Sequence, residues 1–210
     1  MTLRNTNQLW GSLARAFHWT LLALIAVQLP LGLWMNDIYA TWAETYGDDT
    51  WVMRTSNWHH TLGFIFLAGV CARLSWRVVN PTPELPSNLS WAQRLLARGT
   101  HVLLYVLMFT YPLTGWASLS AYEGEFPIFF FGWGEMPRLV PQVAEDAFFN
   151  YEFFAEIHRA CWQVGAVLLA LHVGAALWHY RVARDGVLMR MLKGKPTSPH
   201  SCNAAIQGGR

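Results

Sequence analysis

The chain has 210 residues, of which 53% are hydrophobic and only 13% are charged. Soluble domains carry about 25% charged residues, so this composition argues against a soluble protein and favours an integral membrane protein. The net charge is +2, but the basic and the acidic residues lie in different segments of the chain. No nucleic-acid partner is expected.

Four apolar stretches predict helices at about 15–35, 58–79, 99–120 and 155–181. Each is close to the ~20 residues that a helix needs to cross a lipid bilayer. We therefore predict an all-α, four-transmembrane-helix bundle that occupies residues 1–185 as one domain. Residues 186–210 are predicted to form a basic cytoplasmic tail that ends in disorder, because its last part is rich in Pro, Ser and Gly.

The charges alternate in sign along the chain. Twelve of the fifteen basic residues lie before helix 1, in or around the connection between helices 2 and 3, or at the end of helix 4 and beyond. Eleven of the thirteen acidic residues lie in the two segments that follow helices 1 and 3. Under the positive-inside rule, both termini are cytoplasmic and the two acidic connections are outside.

Four histidines lie in or at the edges of the apolar stretches, and their depths match in pairs. Because helix direction alternates, His18 and His172 are predicted near the inner surface, and His59 and His158 near the outer surface. His158 and His172 are fourteen residues apart, which on one helix is a rise of about 21 Å with an offset of only ~40°. Helix 4 therefore presents one histidine to each level on a single face.

Two imidazoles from different helices at one level are the normal axial ligands of a b-type haem, so the pattern predicts two stacked haems. The alternative is that the four histidines hydrogen-bond to neighbours or line a proton path. A structural zinc site fits the pattern poorly, because its ligands gather at one point rather than ~21 Å apart. The sequence contains no CxxCH motif, so covalently attached haem is not expected.

Glycines accompany this pattern. Gly63 lies one turn after a histidine of helix 2, and Gly32 and Gly115 each lie fourteen residues after a histidine in helices 1 and 3. A helix face with glycine can come close to a flat macrocycle. The alternative is that these glycines only tighten helix packing.

The remaining histidines have weaker signals. His101 is predicted to begin helix 3 at the inner level, where a place in a quinone site or beside the haem is expected, with haem ligation as the lesser alternative. His60 and His179 are predicted to lie at the membrane interface without a ligand role.

Three arginines are candidates for binding anions. Arg73 and Arg77 could neutralise haem propionates at the inner side, or serve only as positive-inside anchors. Arg159 directly follows His158, and it is the candidate outer-side residue for a propionate or an anionic substrate.

The sequence resembles the bacterial cytochrome b561 family of four-helix, di-haem b membrane proteins from Arg15 to about Arg190. The motifs that carry the resemblance are Arg15-x-x-His18-Trp19, His59-x-x-x-Gly63 followed by Arg73, Arg77 and Pro81-Thr82-Pro83, His101-x-x-x-Tyr105 with Pro112 and Gly115, Glu156-Ile157-His158, and Leu171-His172 with Ala175-Ala176-Leu177 and His179. The resemblance implies that helices 1, 2 and 4 provide the haem ligands, and that helix 4 provides two. It therefore implies the same four histidines that depth selects.

The resemblance also implies a multi-pass protein of the bacterial inner membrane that passes electrons between an outer-side donor and ubiquinone. We expect a donor that is either superoxide or a redox protein. One alternative is a superoxide:ubiquinone oxidoreductase, but eleven outer acidic residues against three basic ones repel an anion. A second alternative is a cytochrome b anchor subunit of a periplasmic dehydrogenase or hydrogenase.

Overall fold

The structure, a computed structural model, describes residues 2–85 and 89–194. Four long helices account for most of this part of the chain. The elements in order are α1 (Ser12–Thr45), α2 (Thr50–Val79), α3 (Trp91–Ala121), β1 (Phe129–Phe130), β2 (Gly134–Glu135), α4 (Tyr151–Trp178), a π-helical turn (His179–Ala183) and α5 (Val187–Lys193).

The four long helices are apolar and long enough to cross a membrane, α4 together with the π-helical turn. α1 packs on α2, α3 packs on α4, and α2 also contacts α3, which makes an up-and-down bundle. We call the end with the N-terminal segment, residues 80–85 and α5 the basic end. The opposite end, with the 46–49 turn and the 122–150 connection, is the acidic end.

The connection between α1 and α2 is much shorter than the predicted polar loop from about 36 to 57. α1 continues to Thr45, and α2 begins at Thr50. Tyr46 ends α1 with a left-handed backbone (φ 47°), and its N–H donates to the Trp42 carbonyl. α1 extends past its predicted end near 35 because no proline or glycine interrupts residues 36–46. Hydropathy marks only the apolar part of a helix, so it does not detect this extension.

α3 begins at Trp91, about eight residues before its predicted start near 99. Ser90 and Gln93 form a capping box, in which each side chain bonds to the backbone N–H of the other residue. His101 therefore lies nearly three turns inside α3 rather than at its first turn. The helix then continues through Pro112.

The 122–150 connection covers part of the acidic end. β1 and β2 pair as a small antiparallel hairpin that packs on α2. The Phe131 N–H donates to Oγ1 of the fully buried Thr61 at 2.8 Å. The short apolar run around residues 126–133 is therefore held against the bundle by a hydrogen bond from its backbone.

The beginning of the predicted tail is folded. The chain turns back after Ala183, and α5 lies against α1, where Trp19 Nε1 donates to the Met191 carbonyl at 3.2 Å. The rest of the predicted tail, residues 195–210, with the disorder expected at its end, lies outside the described residues.

The bundle has a small buried centre. Leu21, Phe66 and Val70 are buried against one another, and partly buried side chains of α1 and α3 pack around them. Phe66 also lines two separate cavities, one towards each end of the bundle. Phe66 therefore lies between the two cavities in which the histidines lie.

Candidate functional site

The four predicted ligand histidines meet as two pairs. The ring centroids of His18 on α1 and His172 on α4 are 6.3 Å apart. The ring centroids of His59 on α2 and His158 on α4 are also 6.3 Å apart. The pairs lie in different cavities, His18 and His172 towards the basic end and His59 and His158 towards the acidic end.

This spacing fits a bis-histidine iron. Metal–nitrogen bonds to histidine are about 2.0 Å long and an imidazole nitrogen lies about 1.1 Å from the ring centre, so an iron between two imidazoles separates their centres by about 6 Å. Residues 2–85 and 89–194 contain no group of three or more His, Cys, Asp or Glu side chains that could hold a metal ion alone. Paired histidines instead suit a macrocycle that supplies the four equatorial ligands itself.

The tautomer of His158 is suited to ligation. Its Nδ1 lies 2.8 Å from the Tyr111 carbonyl, and a carbonyl can only accept, so Nδ1 carries the hydrogen and Nε2 keeps its lone pair. The ring also stacks on the Tyr111 ring, with centroids 4.1 Å apart and planes inclined by 22°. Ligand histidines are commonly oriented by such a bond to a backbone carbonyl. Tyr111 is a part of the site that the sequence analysis did not identify.

Two predicted glycines lie against histidine rings of the acidic-end pair. A Cβ at position 115 would lie 2.9 Å from Cε1 of His158, and one at position 32 would lie 2.9 Å from Cε1 of His59. Both distances are below normal contact, so these two positions need glycine for the rings to fit. Gly63 instead faces Gln28, whose Nε2 would lie 3.4 Å from the added Cβ.

Two of the histidine rings each have a buried nitrogen without a hydrogen-bond partner in the described part of the chain. Nδ1 of His18 and Nδ1 of His59 are buried and have no hydrogen-bond partner among the described residues. Buried polar atoms without a partner are uncommon and costly. Iron would bind Nε2 rather than Nδ1, so the fit to haem rests on the ring separation of 6.3 Å in each pair and on the Nδ1 hydrogen bond that leaves Nε2 of His158 free.

The basic-end cavity also has a cationic wall. The guanidinium carbons of Arg73 and Arg77 each lie 5.6 Å from the centre of the Tyr105 ring, and all three residues line the cavity with His18 and His172. In the described part of the chain, neither guanidinium has a carboxylate within 4.0 Å. The two positive charges are therefore available to an anionic group in the cavity.

His101 lies beside the basic-end pair. Its ring centroid is 5.4 Å from that of His172, and its Nδ1 donates to the Ala97 carbonyl at 2.6 Å. The separation from His172 is shorter than the ~6 Å that an iron between two imidazoles requires. The geometry therefore favours His18 over His101 as the partner of His172.

Arg159 lines the acidic-end cavity but is already paired. Its guanidinium bonds to the carboxylates of Glu152 and Glu156, the latter at 2.8 Å. The other two basic residues of this end are also engaged, because Arg54 lies over the Trp51 ring and Arg138 donates to two α3 carbonyls.

One contact at the basic end has no signal in the sequence. His179, predicted as an interfacial residue, lines the cavity, and its Nδ1 lies 2.5 Å from a carboxylate oxygen of Asp185. The two residues are only six positions apart, but a regular helix would not bring them together, so no periodic signal could identify the pair.

The comparisons with known proteins agree with this arrangement. The sequence profile described as "Prokaryotic cytochrome b561" matches residues 9–194. "Cytochrome b561 homolog 2" of Escherichia coli (strain K12) is 32% identical over 201 residues, which cover 95% of this chain and 99% of that protein. "Cytochrome b561 homolog 1" of the same organism is 27% identical over 176 residues, which cover 83% and 92% of the two chains. Matched over nearly its whole length, the chain belongs to the prokaryotic cytochrome b561 family, multi-pass bacterial membrane proteins that hold b-type haem and transfer electrons across the membrane.

Proposed function

We propose that this protein carries electrons across the bacterial inner membrane through two bis-histidine b haems. One haem lies between His18 and His172, and the other between His59 and His158. The donor reacts at the acidic end, and ubiquinone exchanges electrons with the protein. The basic end is the cytoplasmic side, because ten of the thirteen basic residues in the described part of the chain lie there.

The observation that carries the proposal is the pair of equal histidine separations, 6.3 Å at each level. α4 contributes one histidine to each level, and its rise places them about 21 Å apart along the axis. Haem iron held by these histidines would supply a one-electron redox centre at each level, and two imidazole ligands would leave no open position for oxygen. Electron transfer suits this site better than oxygen binding.

The protein's own groups would orient and neutralise the bound cofactors. Tyr111 holds the His158 ring through its carbonyl and its aromatic face. Arg73 and Arg77 would bind propionates at the basic end, where their charges have no carboxylate partner among the described residues. His101 would lie beside that haem, near the quinone.

The haem count tests this proposal. Purified protein is expected to hold two b haems per chain, both low-spin and six-coordinate, in a reduced-minus-oxidised spectrum combined with a protein assay. Acid-acetone is expected to extract both, because the sequence has no CxxCH motif. One haem per chain, or a haem retained in the protein after extraction, would contradict the two-level arrangement.

The charge of the acidic end predicts the kind of donor. Its acidic residues outnumber its basic ones by eleven to three. Hydrogen bonds from Thr50 hold the pKa of Asp48 below its usual range, so this carboxylate stays charged at neutral pH. The resulting field extends roughly 8–10 Å at physiological salt and favours a cationic protein over an anion.

We expect a basic redox protein, such as a basic c-type cytochrome, to reduce the haems at a rate that falls about tenfold or more as salt is raised. Neutralising four acidic residues is expected to slow the same reaction. The set is Asp48, Asp49, Glu145 and Asp146. Stopped-flow haem reduction at several ionic strengths measures both effects.

Superoxide as donor predicts the opposite result. Neutralising the four acidic residues would leave its reaction unchanged or faster, and Arg159→Ala would slow it. The pairing of Arg159 with Glu152 and Glu156 supports a protein donor, because it offsets the positive charge that superoxide would need. A fast superoxide reaction in the isolated protein, lost on Arg159→Ala, would contradict the protein donor.

A further inference from the structure

The two histidines of the acidic-end pair differ in how the protein holds their Nδ1 atoms. Nδ1 of His158 donates to the Tyr111 carbonyl at 2.8 Å. Nδ1 of His59 is buried and has no hydrogen-bond partner in the part of the chain that the structure describes. A neutral imidazole that binds iron through Nε2 carries its hydrogen on Nδ1, so ligation would make this atom a buried donor. Such a donor requires an acceptor beside the His59 ring.

The His59 ring is turned with one edge towards α1. A Cβ added at position 32 would lie 2.9 Å from Cε1, 3.3 Å from Nδ1 and 3.9 Å from Nε2 of His59. The edge formed by Cε1 and Nδ1 therefore faces α1, and Nε2 lies farther from it. The acceptor for Nδ1 has to come from this face of α1.

Gln28 lies on this face, one turn before Gly32. Its Nε2 donates to the backbone carbonyl of His59 at 2.7 Å, so the amide is fixed at the residue that needs the acceptor. The reverse assignment of the amide would place two acceptor oxygens 2.7 Å apart, so the nitrogen faces the carbonyl. Oε1 of the same amide is buried and has no partner among the described residues.

The other unsatisfied groups near this level are not placed to serve His59. Oδ1 of Asn57 is also buried without a partner among the described residues, but its amide lies against the hairpin, 3.1 Å from an added Cβ at Gly132. Nδ1 of His18 is the second unsatisfied ring nitrogen, and it lies ten residues from Gln28 on α1, a rise of about 15 Å. The acceptor of Gln28 and the ring nitrogen of His59 are therefore left for each other.

We propose that Gln28 is a positioning residue of the acidic-end haem, because its Oε1 accepts the Nδ1 hydrogen of His59 when Nε2 of His59 binds iron. This inference rests on the proposed function. The two atoms are not bonded to each other in the structure. Iron at Nε2 excludes the tautomer with the hydrogen on that atom, and it thereby creates the donor that the Gln28 oxygen lacks.

This hydrogen bond would affect the redox properties of one haem. An acceptor at Nδ1 makes a ligand imidazole more basic, which stabilises ferric iron and lowers the midpoint potential. Gln28 lines both cavities, but its effect is confined to the level of His59. A lower potential at the haem that receives the electron favours its passage to the basic-end haem.

Gln28→Met tests the role of the acceptor, because it keeps the length of the side chain and removes both polar atoms. The midpoint potential of the acidic-end haem is expected to rise in a redox titration, and its ferric low-spin EPR signal is expected to shift. Loss of this haem to excess apomyoglobin is expected to be about tenfold faster, a usual effect of removing a group that orients a metal ligand. The signal that is missing in His59→Ala identifies the acidic-end haem.

Two further variants separate the hydrogen bond from packing. Gln28→Glu keeps an acceptor oxygen at the same place, so its potential is expected to stay at or below the wild-type value and its haem to be lost slowly. Gln163→Met is the matched control, because Gln163 is exposed on α4 and lines neither of the two cavities. It is expected to keep wild-type potentials, spectra and haem loss.

Each outcome decides a separate point. If Gln28→Met leaves the acidic-end haem unchanged, if it changes the basic-end haem instead, or if Gln28→Glu behaves like Gln28→Met, the positioning role is wrong. Two haems in the wild-type protein would still support the proposed function in each of these cases. If the wild-type protein holds one haem, or if His59→Ala keeps two, the proposed function fails at this level and the inference fails with it.

Discussion

Replacing His158 by alanine is expected to remove one of the two haems and to leave the other in place. His158 and His59 hold the acidic-end level, and neither contacts the basic-end pair. His59→Ala is expected to give the same result, whereas His18→Ala and His172→Ala are expected to remove the basic-end haem. A pyridine haemochrome assay per chain should fall from two towards one, and spectra should show which haem remains.

His101→Ala is the control for this experiment. Its ring is closer to His172 than the ring of His18 is, at 5.4 Å against 6.3 Å, but this separation is too short for an iron between them. We expect His101→Ala to keep both haems and His18→Ala to lose one. If the two variants behave the other way round, the pairing of α1 with α4 is wrong.

Gly115→Val is expected to remove most of the acidic-end haem without changing a ligand. An added Cβ would lie 2.9 Å from Cε1 and 3.0 Å from Nδ1 of His158. The ring cannot move aside freely, because Tyr111 holds it by a hydrogen bond at 2.8 Å and by stacking. The substitution should therefore turn Nε2 away from the iron, and haem content and the low-spin spectrum measure this.

Gly99→Val is the matched control, on the same helix. A Cβ at position 99 meets nothing within 4 Å, so this variant has the same change in helix propensity without the contact. It is expected to keep two haems. Full haem content in Gly115→Val would mean that His158 does not need its present orientation, and equal loss in both variants would point to α3 itself.

The helix bounds show where hydropathy is informative and where it is not. It detects the lipid-facing length of a helix, so the predicted α1 ended near 35, although the backbone continues to Thr45. The early start of α3 had a local signal, the Ser90-x-x-Gln93 capping box. Hydropathy does not detect this capping box. A prediction from hydropathy alone therefore puts the start of α3 near 99 and His101 in its first turn.

The sequence alone determined that four helices cross the membrane and that their histidines lie at two levels. Helix length, rise and direction follow from local composition and from the 1.5 Å rise per residue, so depth can be calculated from residue numbers. The structure places the rings of both predicted pairs 6.3 Å apart. Their ligation of haem stays a prediction.

Only the tertiary structure decided which groups lie beside these histidines. The Tyr111 carbonyl that orients His158 and the bend that joins His179 to Asp185 depend on side-chain rotamers and irregular backbone. Such contacts have no period along the chain, because they arise from packing between helices and from a single non-helical turn. The levels are therefore a property of the sequence, and the chemistry around each histidine is a property of the fold.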